Sequence, residues 1–254
     1  MSTSPLPALT DGSVASTQVS TPPGLAETTA LMRFDPVDED PAVRARGLAE
    51  RFGVQVLQEV ELLQLLLSRS GRGDAVDEAA RLIGRFGGLV AVLAADRAAL
   101  ARHIGPDAAL DLKLVRETSV RMAAAALPKR DLLTSFLQVA VYLKALLAGL
   151  PREEFWVLFL DRKNQLLAAE RLGVGTVDHA PVYPREVLRR ALELNASAMI
   201  LAHNHPSGDP TPSRPDIEMT RQIIEAGKAL GVAVHDHAIV GAERVLSLRA
   251  EGLL

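Results

Sequence analysis

There is no cysteine anywhere in the chain. That excludes disulfide bonds, thiolate zinc sites and a thiol nucleophile, and it fits a reducing compartment. Aromatic residues are scarce at 4%, although hydrophobic residues reach 48%. Any core is therefore built mostly from Leu, Val, Ile and Ala. An excess of positive charge is also missing. The 28 Lys and Arg stand against 31 Asp and Glu, a net charge of −3, so no global basic field argues for nucleic acid. No apolar run approaches the roughly 18 residues of a membrane span, and no basic-then-apolar signal pattern opens the chain. These absences predict a soluble, cytoplasmic protein with no membrane partner.

What is present divides the 254 residues into three parts. Residues 1–38 are rich in Ser, Thr, Pro and Gly, have neither helical nor strand periodicity, and read as a disordered tail. Residues 39–127 read as helices only. The pattern predicts helices over Pro41–Phe52, Glu59–Ser68, Asp77–Phe86, Leu89–Leu93, Asp96–His103 and Ala108–Ala126. Breaks fall at Gly53, Gly71–Gly73, Gly87–Gly88 and Ile104-Gly105-Pro106. Short helices joined by Gly turns suggest a helix-hairpin-helix type of bundle. Such a turn can offer backbone N–H groups to a DNA phosphate. Here the turn keeps Gly105 but has His103 where a second glycine is expected, and no Lys/Arg cluster lies beside it. A packing or partner-binding bundle stands beside weak nucleic-acid contact as the reading of this part.

Pro128-Lys129-Arg130 reads as a linker to a second domain over 132–254. Its pattern starts with an apolar helix, Leu132–Leu147. Phe155–Leu160 (FWVLFL) is a continuous apolar run, so it reads as a strand buried on both faces. Leu166–Leu172 is its hairpin partner, and Gly173–Ala180 continues as strand or loop. A helix starts at Tyr183-Pro184-Arg185 and runs to about Leu194. Ala198–Ala202 is the next buried strand. Asp216–Leu230 is a helix ended by Gly231. Val232–Val234, His237–Val240 and Leu246–Leu248 are short strands. This order predicts an all-helical N-terminal bundle followed by a mixed β-sheet domain with flanking helices, an α+β or α/β architecture.

The chemistry concentrates in Ala202–Asp216, AHNHPSGDPTPSRPD. His203 and His205 sit at spacing i, i+2 at a strand end, so both point to one side. Asp216, returned by the loop, adds a carboxylate. Two imidazoles and a carboxylate make three zinc ligands and leave one place for water, as a catalytic Zn2+ site requires. Pro206, Pro210, Pro212 and Pro215 stiffen the loop between them, and Gly208 permits its turn. Ser213-Arg214-Pro215-Asp216 also reads as a capping box for the next helix. The second His-x-His, His235-Asp236-His237, offers a second metal site as one reading, and a strand end near the sheet edge with local hydrogen bonds as the simpler one. It has no third ligand. His179 reads as a solvated loop residue.

His-x-His, seven residues, Ser, two residues, Asp is the signature of the JAMM (MPN+) metalloprotease motif. The wider text HNHPSGDPTPSRPD, followed by DHAIVG at Asp236–Gly241, resembles the RadC-like JAB domain family over Leu132–Leu254. The helices from Asp40 to Ala126 are more weakly similar to that family's N-terminal helix-hairpin-helix part. The resemblance implies a JAB/MPN-type, cytidine-deaminase-like fold with His203, His205 and Asp216 as zinc ligands. Ser213 matches the serine that hydrogen-bonds the zinc-bound water or stabilises the developing oxyanion. The general base is a glutamate just before the first apolar strand, where Glu153 and Glu154 both stand. The family text Arg-Glu-x-Phe favours Glu153, and in a strand only one of the two can reach the metal.

The implied activity is zinc-dependent hydrolysis of an amide or isopeptide bond in a protein or peptide. The alternative is a DNA-repair- or recombination-associated protein, including a metal-dependent nuclease, that contacts nucleic acid through residues 39–127. A third reading is a partner-binding fold without turnover. The sequence leaves substrate and oligomeric state open.

Overall fold

A computed structural model describes residues 41–69, 75–128, 136–175 and 182–254. The tail expected over 1–38, the break at Gly71–Gly73, the beginning of the helix expected from Leu132, His179 and the segment 176–181 lie outside the described residues.

The helical part contains α1 (Pro41–Phe52), α2 (Glu59–Ser68), α3 (Ala75–Phe86), α4 (Leu89–Ala94) and α5 (Arg97–Ala125). Helix α1 stops at Gly53, whose φ of 86° a side chain would resist. A capping box closes the start of α2, with Gln58 and Glu61 satisfying each other's backbone donors. Helix α5 is bent where Gly105 takes φ 78° and ψ 165° and Pro106 follows, the site of the expected Ile104-Gly105-Pro106 turn. Leu63, Leu67, Leu82, Leu100, Ile104 and Leu112 are buried together and supply the core of these helices.

The second part carries α6 (Phe136–Leu147), β1 (Glu154–Leu160), β2 (Leu166–Val174), α7 (Pro184–Glu193), β3 (Ala198–Asn204), α8 (Arg214–Leu230), β4 (Ala233–Val240) and β5 (Val245–Ser247). The sheet order is β2-β1-β3-β4-β5. Strands β3 and β4 run parallel, while β1/β2, β1/β3 and β4/β5 are antiparallel. The sheet is therefore mixed. A parallel β3/β4 pair requires a crossover, and α8 supplies it.

Alternation along β1 and β3 gives the sheet two buried faces. Leu158, Leu160, Ala198, Ile200 and Ala202 face α6. Phe155, Val157, Phe159, Met199 and Leu201 face α7 and α8. Two boundaries differ from the sequence expectation. Strand β3 continues through His203 to Asn204. The expected pair Val232–Val234 and His237–Val240 is one strand. Polar His235 and Asp236 interrupt the apolar pattern there, but a register shift opposite Met199/Ile200 absorbs the irregularity and pairing continues.

Candidate metal centre

Strand β3 carries both histidines out of the core at its carboxyl end, and α8 starts on the far side of the loop. Ser213 caps α8, accepting from the Asp216 N–H while its own N–H donates to Asp216 Oδ2 at 2.7 Å. The Ser213 hydroxyl also donates to Oδ2 at 2.5 Å. The capping box and the ligand motif are thus the same bonds. They aim the Asp216 carboxylate while closing the helix, and they leave Oδ1 on the imidazole side, 3.5 Å from His203 Nε2.

His203 Nε2 and His205 Nε2 approach to 2.9 Å, and His205 Nε2 lies 3.7 Å from Asp216 Oδ2. All three ligating atoms fall within 4.8 Å of one another. His203 and Asp216 are buried and His205 is half-buried. The Asp209 carbonyl can only accept, so His205 donates from Nδ1 to it at 2.7 Å. A neutral His205 then presents an Nε2 lone pair to His203 and to the carboxylate. Electron-rich atoms gathered this closely call for a cation between them, and this donor set suits zinc. The titration shifts show the same pull toward positive charge, here a proton on His205. The hydrogen bond to Asp216 raises the His205 pKa, and burial opposes it. Burial pushes the Asp216 pKa up, but His205, His203 and Ser213 outweigh it and hold the carboxyl below its usual range.

Glu153 and Glu154 separate as strand geometry demands. Phe155 pairs with His203 across β1/β3. Continuing that antiparallel register sets Glu153 opposite His205 on the face of the two histidines. Glu153 is buried, and its charge raises the His205 pKa. Glu154 turns the other way, pairing with Arg171 at 2.8 Å and accepting from Trp156 Nε1 at 3.0 Å.

Three residues here carry weight that the sequence reading did not give them. Asn204 holds the peptide on both sides of Glu153, accepting from the Glu154 N–H at 2.9 Å and donating to the Arg152 carbonyl at 3.0 Å. Gly241 lets the site loop pack down. A Cβ there would sit 2.5 Å from the Gly208 carbonyl oxygen and 2.7 Å from Pro210. His237 is completely buried and lies 2.8 Å from His203, so its role is not the local one expected of the second His-x-His. Asp236 does bond locally, to Ser247 and to the backbone N–H groups of His237 and Arg249. The available signals were the Asn inside HNH and the text DHAIVG.

A cleft of about 340 Å³ lies beside the centre. Its walls are Phe86, Gly87 and Ala91 from the helical part, and His205, Gly208 and Ala242 from the sheet part. No described helix is long and apolar enough to cross a membrane.

Comparison with known proteins agrees with this architecture. The model of the RadC-like JAB domain matches residues 133–253. A UPF0758 protein of Rhodobacter capsulatus is 50% identical over 213 residues, which cover 82% of this chain and 100% of that relative. The relative spans the helical part as well as the sheet, and on this likeness the chain belongs to the RadC-like JAB domain family.

Proposed function

We propose that the chain is a zinc-dependent hydrolase of the JAMM metallopeptidase type, cleaving an amide or isopeptide bond. The convergence of His203, His205 and Asp216 within 4.8 Å carries this reading. Bound there, Zn2+ supplies the Lewis acidity that brings the pKa of water from about 15.7 to about 7. Glu153 takes a proton from the attacking water and returns it to the leaving amine. The water oxygen bonds to the carbonyl carbon, the carbon–nitrogen bond breaks, and the amine departs protonated. The exposed Ser213 hydroxyl rests on Asp216 Oδ2 and, turned toward substrate, would donate to the developing oxyanion.

The test is zinc content followed by turnover. Wild-type protein should hold one zinc per chain, and His203→Ala and Asp216→Ala should lose it. Glu153→Gln should keep zinc but lose about 10²- to 10⁴-fold in kcat on a peptide and isopeptide panel, the range of a general base. Absence of stoichiometric zinc, or wild-type zinc affinity in His203→Ala, would sink the proposal. Cleavage confined to nucleic-acid substrates in the same panel would move the chain to the nuclease reading.

A further inference from the structure

The geometry points to Thr220 and His237 as positioning residues that hold His203 in the tautomer whose Nε2 lone pair faces the metal site. This inference rests on the metal reading above, but its first test does not.

The assignment follows from one chain of hydrogen bonds. Thr220, on α8, has its hydroxyl 2.6 Å from the Asp216 carbonyl oxygen, one turn earlier on the same helix. That carbonyl can only accept, so the Thr220 proton points at it. The Thr220 oxygen lies 2.6 Å from His237 Nδ1 and, with its own proton committed, can only accept there. His237 Nδ1 is therefore protonated. His237 is completely buried, and among the described residues no carboxylate is hydrogen-bonded to its ring, so the ring is neutral and its Nε2 carries a lone pair. His203 Nδ1, 2.8 Å from that nitrogen, must be the donor. In the neutral His203 ring this leaves Nε2 deprotonated, directed at His205 and Asp216. The reverse order of protons would set the Thr220 and Asp216 oxygens 2.6 Å apart with no hydrogen between them.

The surroundings keep this chain in place. His237 and Thr220 are both fully buried, and the Phe155 ring meets the His237 ring edge-on at 5.8 Å. A zinc-bound histidine usually donates its other N–H to a carboxylate, a carbonyl or water. A neutral imidazole orients the ligand equally well and adds no negative charge, so Asp216 and Glu153 remain the anions beside the cation. The chain also returns to Asp216, so one set of bonds fixes the backbone of one ligand and the ring of another.

Long-range proton–nitrogen NMR of the metal-free wild-type protein, at about pH 8 where ordinary histidines are neutral, reads the tautomers directly. Both His203 and His237 should show protonated Nδ1 and unprotonated Nε2. A protonated Nε2 on His203 overturns the proposal, whether or not the protein takes up metal. The second arm measures the zinc dissociation constant by chelator competition. Thr220→Val keeps the shape and removes the hydroxyl. It should weaken zinc binding by roughly 10- to 100-fold, the usual effect of losing such a partner, and Thr220→Ser should restore it. Wild-type affinity in Thr220→Val, or equal weakening in Thr220→Ser, overturns the role of the hydroxyl. Wild-type protein that binds no zinc but shows the expected tautomers keeps the chain of bonds and sinks only the metallohydrolase reading.

Discussion

Asn204 shows how one side chain between two ligands sets the position of a third group. Strand alternation sends His203 and His205 to one face and Asn204 to the other. There its amide ties down Arg152 and Glu154 and leaves Glu153 no slack. Asn204 is buried and both bonds are partly buried. Asn204→Ala should remove both hydrogen bonds, at about 0.5–1.5 kcal/mol each. The stability loss should come with a larger loss in kcat than in zinc affinity, because the metal ligands keep their own supports. Zinc titration and turnover on the same sample check this, and an equal loss in both would mean that Asn204 supports the ligands instead. Glu154→Gln is the companion control. It removes a charge from the opposite face and should change kcat little. The cluster of His203, His205 and Asp216 could be read from sequence because its spacing is local and its residue types restrictive. Asn204, Thr220 and His237 could not be read, because their partners lie on other strands and helices and no periodicity reports a cross-strand hydrogen bond.

At the level of elements, the site depends on how closely α8 and β4 approach. Val232 donates its N–H to the Gly227 carbonyl at 2.9 Å, closing the end of α8 onto the start of β4. A Cβ on Gly227 would lie 2.5 Å from the Val232 carbonyl oxygen, a backbone atom that cannot swing aside. Gly227→Ala gains helix propensity of about 1 kcal/mol, yet the clash should outweigh it. We expect a net loss of about 1–3 kcal/mol, typical of overpacking, seen as a Tm drop of roughly 2–4 °C per kcal/mol for a chain of this size. Zinc affinity should fall as well, because α8 carries Asp216 and Thr220 while β4 carries His237. A higher Tm in Gly227→Ala would show that the two elements can separate freely. The elements themselves were largely legible. Continuous apolar runs marked β1 and β3, and Gly and Pro marked the helix ends. Strand β4 is the exception, because polar His235 and Asp236 have the pattern of a break. Asp236 is satisfied by Ser247 at the end of β5 and by Arg249 just beyond it, so the strand continues through it.

Across the whole molecule, the helical part is joined to the sheet part by contacts that set one wall of the cleft. Residues Pro41–Leu254 form one compact unit. Arg116 of α5 donates to the Leu146 and Ala148 carbonyls at the end of α6, at 2.8 and 3.3 Å. Lys113 donates to the Leu93 and Ala95 carbonyls at 2.8 and 2.6 Å, so α4 is held from the same helix. Gly149, at φ 71°, follows α6 and lies close to α4, where a Cβ would come within 3.0 Å of Ala91 Cα and the Val90 carbonyl oxygen. This approach sets Ala91 against the loop His205–Gly208 across the cleft. None of it is visible in composition, because the joint is made of a glycine and two cations whose backbone carbonyl partners lie 18 to 32 residues away in sequence. If the cleft admits the substrate, its helical wall should govern binding and leave metal loading alone. Ala91→Phe would fill part of the 340 Å³ with a ring. It should lower kcat/KM by about tenfold or more, roughly 1.4 kcal/mol, mainly through KM, with zinc content and Tm near wild type. Unchanged kcat/KM in a folded, zinc-loaded Ala91→Phe protein would mean that substrate reaches His203 and His205 from another side and that the helices serve a different partner.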